Sequence, residues 1–242
     1  MIFNKFFILF KIGRKIGKSN IINIVSETHK IPVFIKLFFN LLAFSFSSSN
    51  NTKSKGKENL SESIQEMGTT FIKLGQFLAT RPDIIGEKLS KELESLQDKL
   101  PPFSKKEAEK IIIENLGQSN FDDIIDLSEP IAAASIAQVH KAKIKEDNII
   151  KNVAIKVLRP NIKKIFNDEI DAIMLLAYIV ESLISKTKRL KLIEVVFLFK
   201  EITNHEMDLR FEAAAANEYA ENTKNDLGSV SYTHLRAHET RE

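Results

Sequence analysis

The chain has 242 residues, 43% of them hydrophobic and 28% charged, a balance that belongs to a globular protein and excludes wholesale disorder. It contains no cysteine, which rules out disulfides, thiolate metal sites and cysteine nucleophiles and fits a reducing compartment. The net charge of +3 is unevenly spread: residues 1–57 carry ten Lys or Arg against the single acid Glu27, a net of +9, so the remainder is −6.

The first stretch, "MIFNKFFILFKIGRKIGK", interleaves basic residues with Phe and Ile, a pattern suited to the surface of an anionic membrane rather than to a folded core. A secretory signal fits less well, because Lys5 interrupts the apolar run early and no small-residue cleavage site follows it. The most hydrophobic window, "IPVFIKLFFNLLAFSFSSS", is apolar only from Ile31 to Phe46 and includes Lys36 and Asn40. That falls short of the roughly 18 clean apolar residues of a spanning helix, so the window reads as interfacial or as packed against the domain. Residues 1–46 are therefore expected to form basic, hydrophobic, membrane-associating helices. Residues 47–59, rich in Ser, Asn and Lys, read as a linker.

From Leu60 to Leu100 apolar residues recur at helical spacing, with the breaker Pro82 between two segments and "LPP" closing the second. "SKKEAEKIIIENLG" opens on Ser104 with Glu107 three residues on and ends at Gly117, a capping box and a terminal glycine in register. Residues 60–117 thus read as a helical unit. Within it, Gly75 stands in an apolar helical stretch beside Lys73 and Gln76, which share one face. A helix-interior glycine costs about 1 kcal/mol relative to alanine, so the position calls for a close packing partner or for a site that uses the gap. The plainer alternative is a solvated Lys and Gln on an ordinary amphipathic helix that tolerates its glycine.

After residue 117 the period changes. "IAAASIAQVHKAKI" and "NVAIKVL", joined by the polar "KEDNIIKN", read as a β-hairpin in which Val153, Ile155 and Val157 face one way and Ala154 and Lys156 the other. Two long helical stretches follow Pro160, at about 161–186 and 191–222. A loop, a hairpin and a lysine on its second strand are the layout of a nucleotide site in protein-kinase-like folds, where a cation held by a carboxylate meets the phosphates. Lys156 of "VAIKV" is the candidate, with an exposed strand lysine as the alternative. Where a kinase carries a glycine-rich loop, this chain has "PIAAASIAQVH". Alanine does not take positive φ cheaply, so the loop is expected to be stiff. His140 reads as a strand residue rather than a catalyst, and His205 has no evident assignment.

In order along the chain, "FIKLGQFLATRPDII", "LQDKLPP", "EPIAAASIAQVHKA", "VAIKVLRP" and "EMDLRFEAAAAN" closely resemble the UbiB family of atypical kinase-like proteins, over about residues 60–226. The resemblance implies an α+β fold: a protein-kinase-like N-terminal lobe, with a small antiparallel sheet and inserted helices at 118–226, preceded by a family-specific helical extension. In the family's terms Lys73, Gly75 and Gln76 match its K-x-G-Q signature, on a helix that folds over the site. Glu206 and Asp208 match its E-x-D signature, expected to reach that helix. Lys156 matches the phosphate-binding lysine, Glu212 its helix partner, and Ala132, Ala133, Ala134 and Ser135 the alanine-rich loop. Asp208 and Glu212 stand at i and i+4, an unfavourable like-charge spacing within a helix unless cations answer it; Lys156 and Lys73 are suitable, with Arg210 shielding both acids as the alternative.

The resemblance further implies an ATP-binding atypical kinase or ATPase that supports ubiquinone biosynthesis. Its expected partners are nucleotide, membrane lipid or a quinone precursor and other proteins of that synthesis, and its expected place is the cytoplasmic face of a bacterial inner membrane, held peripherally. Magnesium is expected with the ATP, its ligands and the catalytic loop lying beyond residue 226, so that no catalytic or metal-binding residue and no C-terminal lobe is expected within the chain. The tail after Asp226, "LGSVSYTHLRAHETRE", breaks the helical pattern and resembles translated sequencing adapter, so residues 227–242 are expected to be non-native. A non-catalytic nucleotide-binding scaffold that recruits or extracts quinone-precursor lipids is the alternative function. Nucleic-acid binding is disfavoured, because the N-terminal cations are interleaved with Phe and Ile instead of forming a separate polar face.

Overall fold

The computed structural model describes residues 2–18, 21–28, 37, 60–96, 100–146 and 148–224. The linker at 47–59, the tail at 227–242 and, Leu37 excepted, the apolar window at 31–46 lie outside the described residues. The fold is α+β, and the chain divides into two compact units, one of residues 1–98 and 163–200, the other of 99–162 and 201–242.

The first unit is helical. It contains α1 (Ile2–Lys18), α2 (Ile21–Thr28), α3 (Leu60–Met67), α4 (Thr69–Ala79), the single turn α5 (Pro82–Ile85), α6 (Glu87–Glu94) and α9 (Ile162–Leu183), together with residues 192–200 of α10 (Leu192–Glu206). One apolar cluster gathers Ile12, Met67, Phe71 and Ala172 with Ile8, Leu9 and Ile16, so α1 commits one face to the helical core. The Lys15 ammonium adds a 2.8 Å hydrogen bond to the carbonyl of Met67. The sequence reading preferred a membrane surface to a folded core for this stretch, but with i, i+4 spacing Ile8, Ile12 and Ile16 line up on one side, and Ile12 is only 3% exposed. Phe7 and Phe10 lie on the other side and stay exposed, at 67% and 40%. A second cluster of Leu60, Leu89 and Leu93 joins α3 to α6, and the Phe77, Phe166 and Phe199 rings meet at 5.5 and 5.6 Å. The N-terminus of α10 is capped by the Glu181 carboxylate, which accepts from the Ile193 N–H at 3.1 Å.

The second unit is built on a three-stranded antiparallel sheet in the order β1 (Ile124–Ala133), β2 (Ala137–Glu146), β3 (Ile149–Leu158). Before it come α7 (Lys105–Leu116) and α8 (Gln118–Asp122), and after α10 comes α11 (Leu209–Asn222). The N-cap half of the capping box forms: the Ser104 hydroxyl accepts from the Glu107 N–H at 3.3 Å and donates to the Glu107 carboxylate at 3.1 Å, and Gly117 closes the helix at φ 82°. Although α7 falls within the stretch that the sequence groups as 60–117, it packs on the sheet, where Ala108 and Ile112 join Leu127, Ala142 and Val157.

Three readings need correction. What the sequence reads as one strand from Ile131 is two, β1 and β2, joined through residues 134–136. β1 escapes pattern reading because it carries Pro130 and three register shifts, which destroy the alternation of apolar and polar residues. The polar turn is shorter than "KEDNIIKN" suggests, because β2 runs to Glu146 and β3 starts at Ile149, their paired ends, with Asn148 between them at φ 62°, a conformation asparagine tolerates. The stretch 191–222 is two helices, because Asp208 breaks it with extended backbone and caps α11.

Candidate functional site

The register fixes which side chains share each face of the sheet. Gln138, His140 and Ala142 of β2 stand opposite Val157, Ile155 and Val153 of β3. These residues turn toward the core with α7. The alternate residues make the other face, where Val139 pairs with Lys156 and Lys141 with Ala154. On that face the Lys156 ammonium donates to the Glu212 carboxylate at 2.6 Å, across 56 positions of sequence.

Glu212 lies in the first turn of α11, where the helix dipole favours a carboxylate. The pair is partly open, with side chains 39% and 60% exposed. An ion pair that open to water adds at most about 1 kcal/mol to stability. Its effect is therefore one of position: it holds a cation over the sheet's open face.

The alanine-rich segment is divided between two elements. Ala132 and Ala133 end β1, while Ala134 and Ser135 enter the turn. The Ala134 N–H bonds the Ala137 carbonyl at 2.8 Å, and Ser135 is fully buried. Among the described residues, positive φ occurs at Asn148, Asn161, Lys191 and three glycines, and none of Ala132–Ser135 is among them. The turn therefore forms without the left-handed backbone that a glycine loop can use.

Asp208 and Glu212 do not stand as like charges inside one helix. Asp208 precedes α11 as its cap, accepting from the Arg210 N–H at 3.1 Å and from its guanidinium at 2.9 and 2.7 Å. Glu212 accepts from Lys156, while the Arg210 guanidinium pairs with Asp208. Glu206 ends α10, exposed, and the His205 ring lies 4.8 Å from that of Phe211. Lys73, Gly75 and Gln76 lie on α4 in the first unit, with Lys73 and Gln76 partly buried. Gly75 has a packing reason, since a Cβ there would stand 2.8 Å from Leu96 Cδ2 and 3.4 Å from Ile64 Cγ2.

Two residues inside the quoted motifs escaped the sequence reading. Gln138 accepts from the Phe103 N–H at 2.9 Å and donates to the Phe103 carbonyl at 3.2 Å. Its amide nitrogen also meets His140 Nε2 at 2.8 Å, and His140 Nδ1 meets the Ser128 carbonyl at 2.8 Å. The amide can only donate, so Nε2 accepts and the Nδ1–H donates to Ser128. Arg159 is the second: its guanidinium reaches the carbonyls of Ala134, Pro101 and Leu100. Their signal was the motif text itself, in "AQVH" and "VLRP", but the atoms they bind are main-chain carbonyls and amides that no side-chain pattern reveals.

The described residues thus place on one face of the sheet a lysine paired with a carboxylate and, in Val139 and Ala154, small apolar surface. Among the described residues, no three His, Asp or Glu side chains come together.

Residues 95–231 match the ABC1 atypical kinase-like domain. The chain is similar to the "Probable protein kinase UbiB" of Marinobacter nauticus, 35% identical over 197 residues that cover 81% of this chain and 35% of the relative. It is 32% identical to the protein of that name from Pseudomonas paraeruginosa over 216 residues, 88% of this chain and 40% of the relative. With that of Vibrio cholerae it shares 38% identity over 171 residues, 69% and 31% of the two chains. The chain thus spans between about a third and two fifths of the length of these curated relatives.

Proposed function

The chain belongs to the ABC1 atypical kinase-like family, and from that premise we propose that its sheet unit binds the phosphates of ATP, with Lys156 as the phosphate cation and Glu212 as the carboxylate that holds it. The observation that carries this reading is the 2.6 Å Lys156–Glu212 pair on the open face of the sheet. A lysine tethered to a helix meets an incoming phosphate without first losing its rotamer freedom, which lowers the entropic cost of binding. Val139 and Ala154, on the same face, offer the apolar surface on which the base rests. When bound, the nucleotide supplies a phosphoryl group; this chain's own part is to orient its phosphates.

Lys73, Gly75 and Gln76, with Glu206 and Asp208, belong in this reading to control of the site and not to nucleotide affinity. The whole protein would use ATP in support of ubiquinone biosynthesis at the membrane. Attachment there is peripheral, with Phe7, Phe10 and Lys11 presented on one side of α1. Binding of the intact protein to anionic vesicles that weakens as salt rises supports that attachment, and salt-independent binding, or none, contradicts it.

The nucleotide reading is tested in the intact protein by titrating ATP into Lys156→Ala and Lys73→Ala variants. The Lys156 change is expected to weaken binding by about 100-fold or more, as loss of charge-assisted contacts to phosphate predicts, and the Lys73 change to leave it near wild type. Undiminished ATP binding by Lys156→Ala would overturn the assignment.

A further inference from the structure

We propose that Arg159 is the positioning residue of the alanine-rich turn, fixing the Ala134–Ser135 peptide in one orientation. Two of its N–H groups, Nε and Nη2, converge on the Ala134 carbonyl at 3.1 and 2.8 Å. From the same guanidinium, Nη1 reaches the Pro101 carbonyl at 3.0 Å and Nη2 also lies 3.4 Å from that of Leu100. The fork lies 5.9 Å from the centre of the Phe103 ring, and the Arg159 main-chain N–H donates to Ile136 at 2.9 Å, the far side of the same turn. Arg159 therefore grips the turn by side chain and main chain together, and ties it to residues 100–103. That segment is itself pinned, because Gln138 binds both main-chain groups of Phe103.

A peptide unit points its carbonyl and its N–H in opposite directions. Holding the Ala134 carbonyl with two cationic donors therefore also fixes where the Ser135 N–H points. Turning that peptide over would break both charge-assisted hydrogen bonds at once. A glycine loop moves because its φ angles are cheap to change; here alanine and serine at ordinary φ make change costly, and Arg159 adds an external lock. A lysine could not substitute, because a single ammonium lacks the planar fork that reaches three carbonyls.

The functional consequence rests on the nucleotide reading above: a turn held in one geometry fits one arrangement of phosphates, so Arg159 sets how tightly the site holds its nucleotide although it is placed to act through the turn.

The test uses the intact protein with Arg159→Ala and Arg159→Lys, measuring three things: amide hydrogen exchange at residues 134–137 without nucleotide, ATP affinity, and Tm. Exchange at the turn is expected to rise by about tenfold or more in both variants, and ATP affinity to fall about tenfold. Lysine keeps an aliphatic stem and the positive charge, so Arg159→Lys is expected to do this with Tm close to wild type. Unchanged exchange at 134–137 in Arg159→Lys, or a rise matched equally at amides across the sheet, would overturn the proposal. Raised exchange at the turn with unaltered ATP affinity would overturn its functional half. A wild-type protein that binds no ATP, while exchange still rises in the variants, would sink the phosphate reading and support the lock.

Discussion

In the helical unit the core is made mainly by apolar side chains meeting one another, Ile12 with Met67 and Phe71, Leu60 with Leu89 and Leu93, and Gly75 making room for Leu96, with polar contacts to main chain such as Lys15 to Met67 beside them. In the sheet unit the decisive contacts run from polar side chains to main-chain atoms: Gln138 to Phe103, His140 to Ser128, Arg159 to Ala134 and Pro101. Apolar packing is non-directional and tolerates substitutions that preserve volume, whereas a buried hydrogen bond to a carbonyl accepts few replacements. The difference separates a unit that needs mass from one that needs fixed peptide orientations around a turn and a lysine.

The strongest stability test of this contrast is Gln138→Leu. Gln138 is 1% exposed, and its loss leaves the Phe103 N–H and carbonyl and the fully buried His140 Nε2 without their partners. Stranding buried polar groups costs about 1–3 kcal/mol each where they cannot relax toward water, and the expected total is about 3 kcal/mol, read from the midpoint of urea unfolding. A loss below about 1 kcal/mol would mean that the polar chain from Phe103 to Ser128 is dispensable and that the sheet unit is held by packing like its neighbour.

Gly75→Ala probes the other side of the comparison. Alanine gains about 1 kcal/mol in helix propensity, but its Cβ would stand 2.8 Å from Leu96 Cδ2, so that side chain must move. Overpacking costs about 1–3 kcal/mol, which makes a net destabilisation of about 1 kcal/mol the expected outcome in thermal unfolding. A stabilised Gly75→Ala protein would show that Leu96 turns aside freely and that the glycine is not there for packing.

These two positions also show what the sequence could and could not reveal. The Ser104 cap on Glu107, the closing Gly117 and the alternation of Val153, Ile155 and Val157 depend on neighbours a few residues apart, and all were legible. At Gly75 the sequence left open a close packing partner, a site that uses the gap and a merely tolerated glycine, and the structure supplies Leu96 as a close partner. β1 was hidden by its register shifts, and the break at Asp208 by an apolar pattern that runs through it on both sides. Arg159 was hidden for a different reason: its acceptors are carbonyls 25 to 59 residues away, and a carbonyl carries no residue identity. The Lys156–Glu212 pair spans nearly as far, but both partners are side chains inside ordered motifs, so a family resemblance could point to them where spacing could not.

The smallest expected effect comes from a second arginine, in the helical unit, that sharpens the contrast with Arg159. Arg81 makes the same two-pronged contact, through Nε at 2.9 Å and Nη2 at 2.8 Å, but to the Asp83 carboxylate. The pair is open to solvent and ties together residues only two apart, so it positions nothing distant. The Arg81 hydrogen bond holds the Asp83 carboxyl below its ordinary pKa. For a carboxylate depressed in the folded state, the stabilisation is fully present above the unfolded-state pKa and is lost as pH falls through the folded one. The pair's contribution is therefore present in full at neutral pH, where it is small for so exposed a pair, and only its pH dependence is confined to the acid limb of the stability profile. In Arg81→Gln, the Asp83 carboxyl followed by NMR is expected to titrate upward toward the ordinary carboxylate range, with Tm at neutral pH almost unchanged. A large drop in neutral-pH stability would instead make Arg81 a structural brace comparable to Arg159, and the distinction between an arginine that meets a neighbouring acid and one that grips distant carbonyls would lose its force.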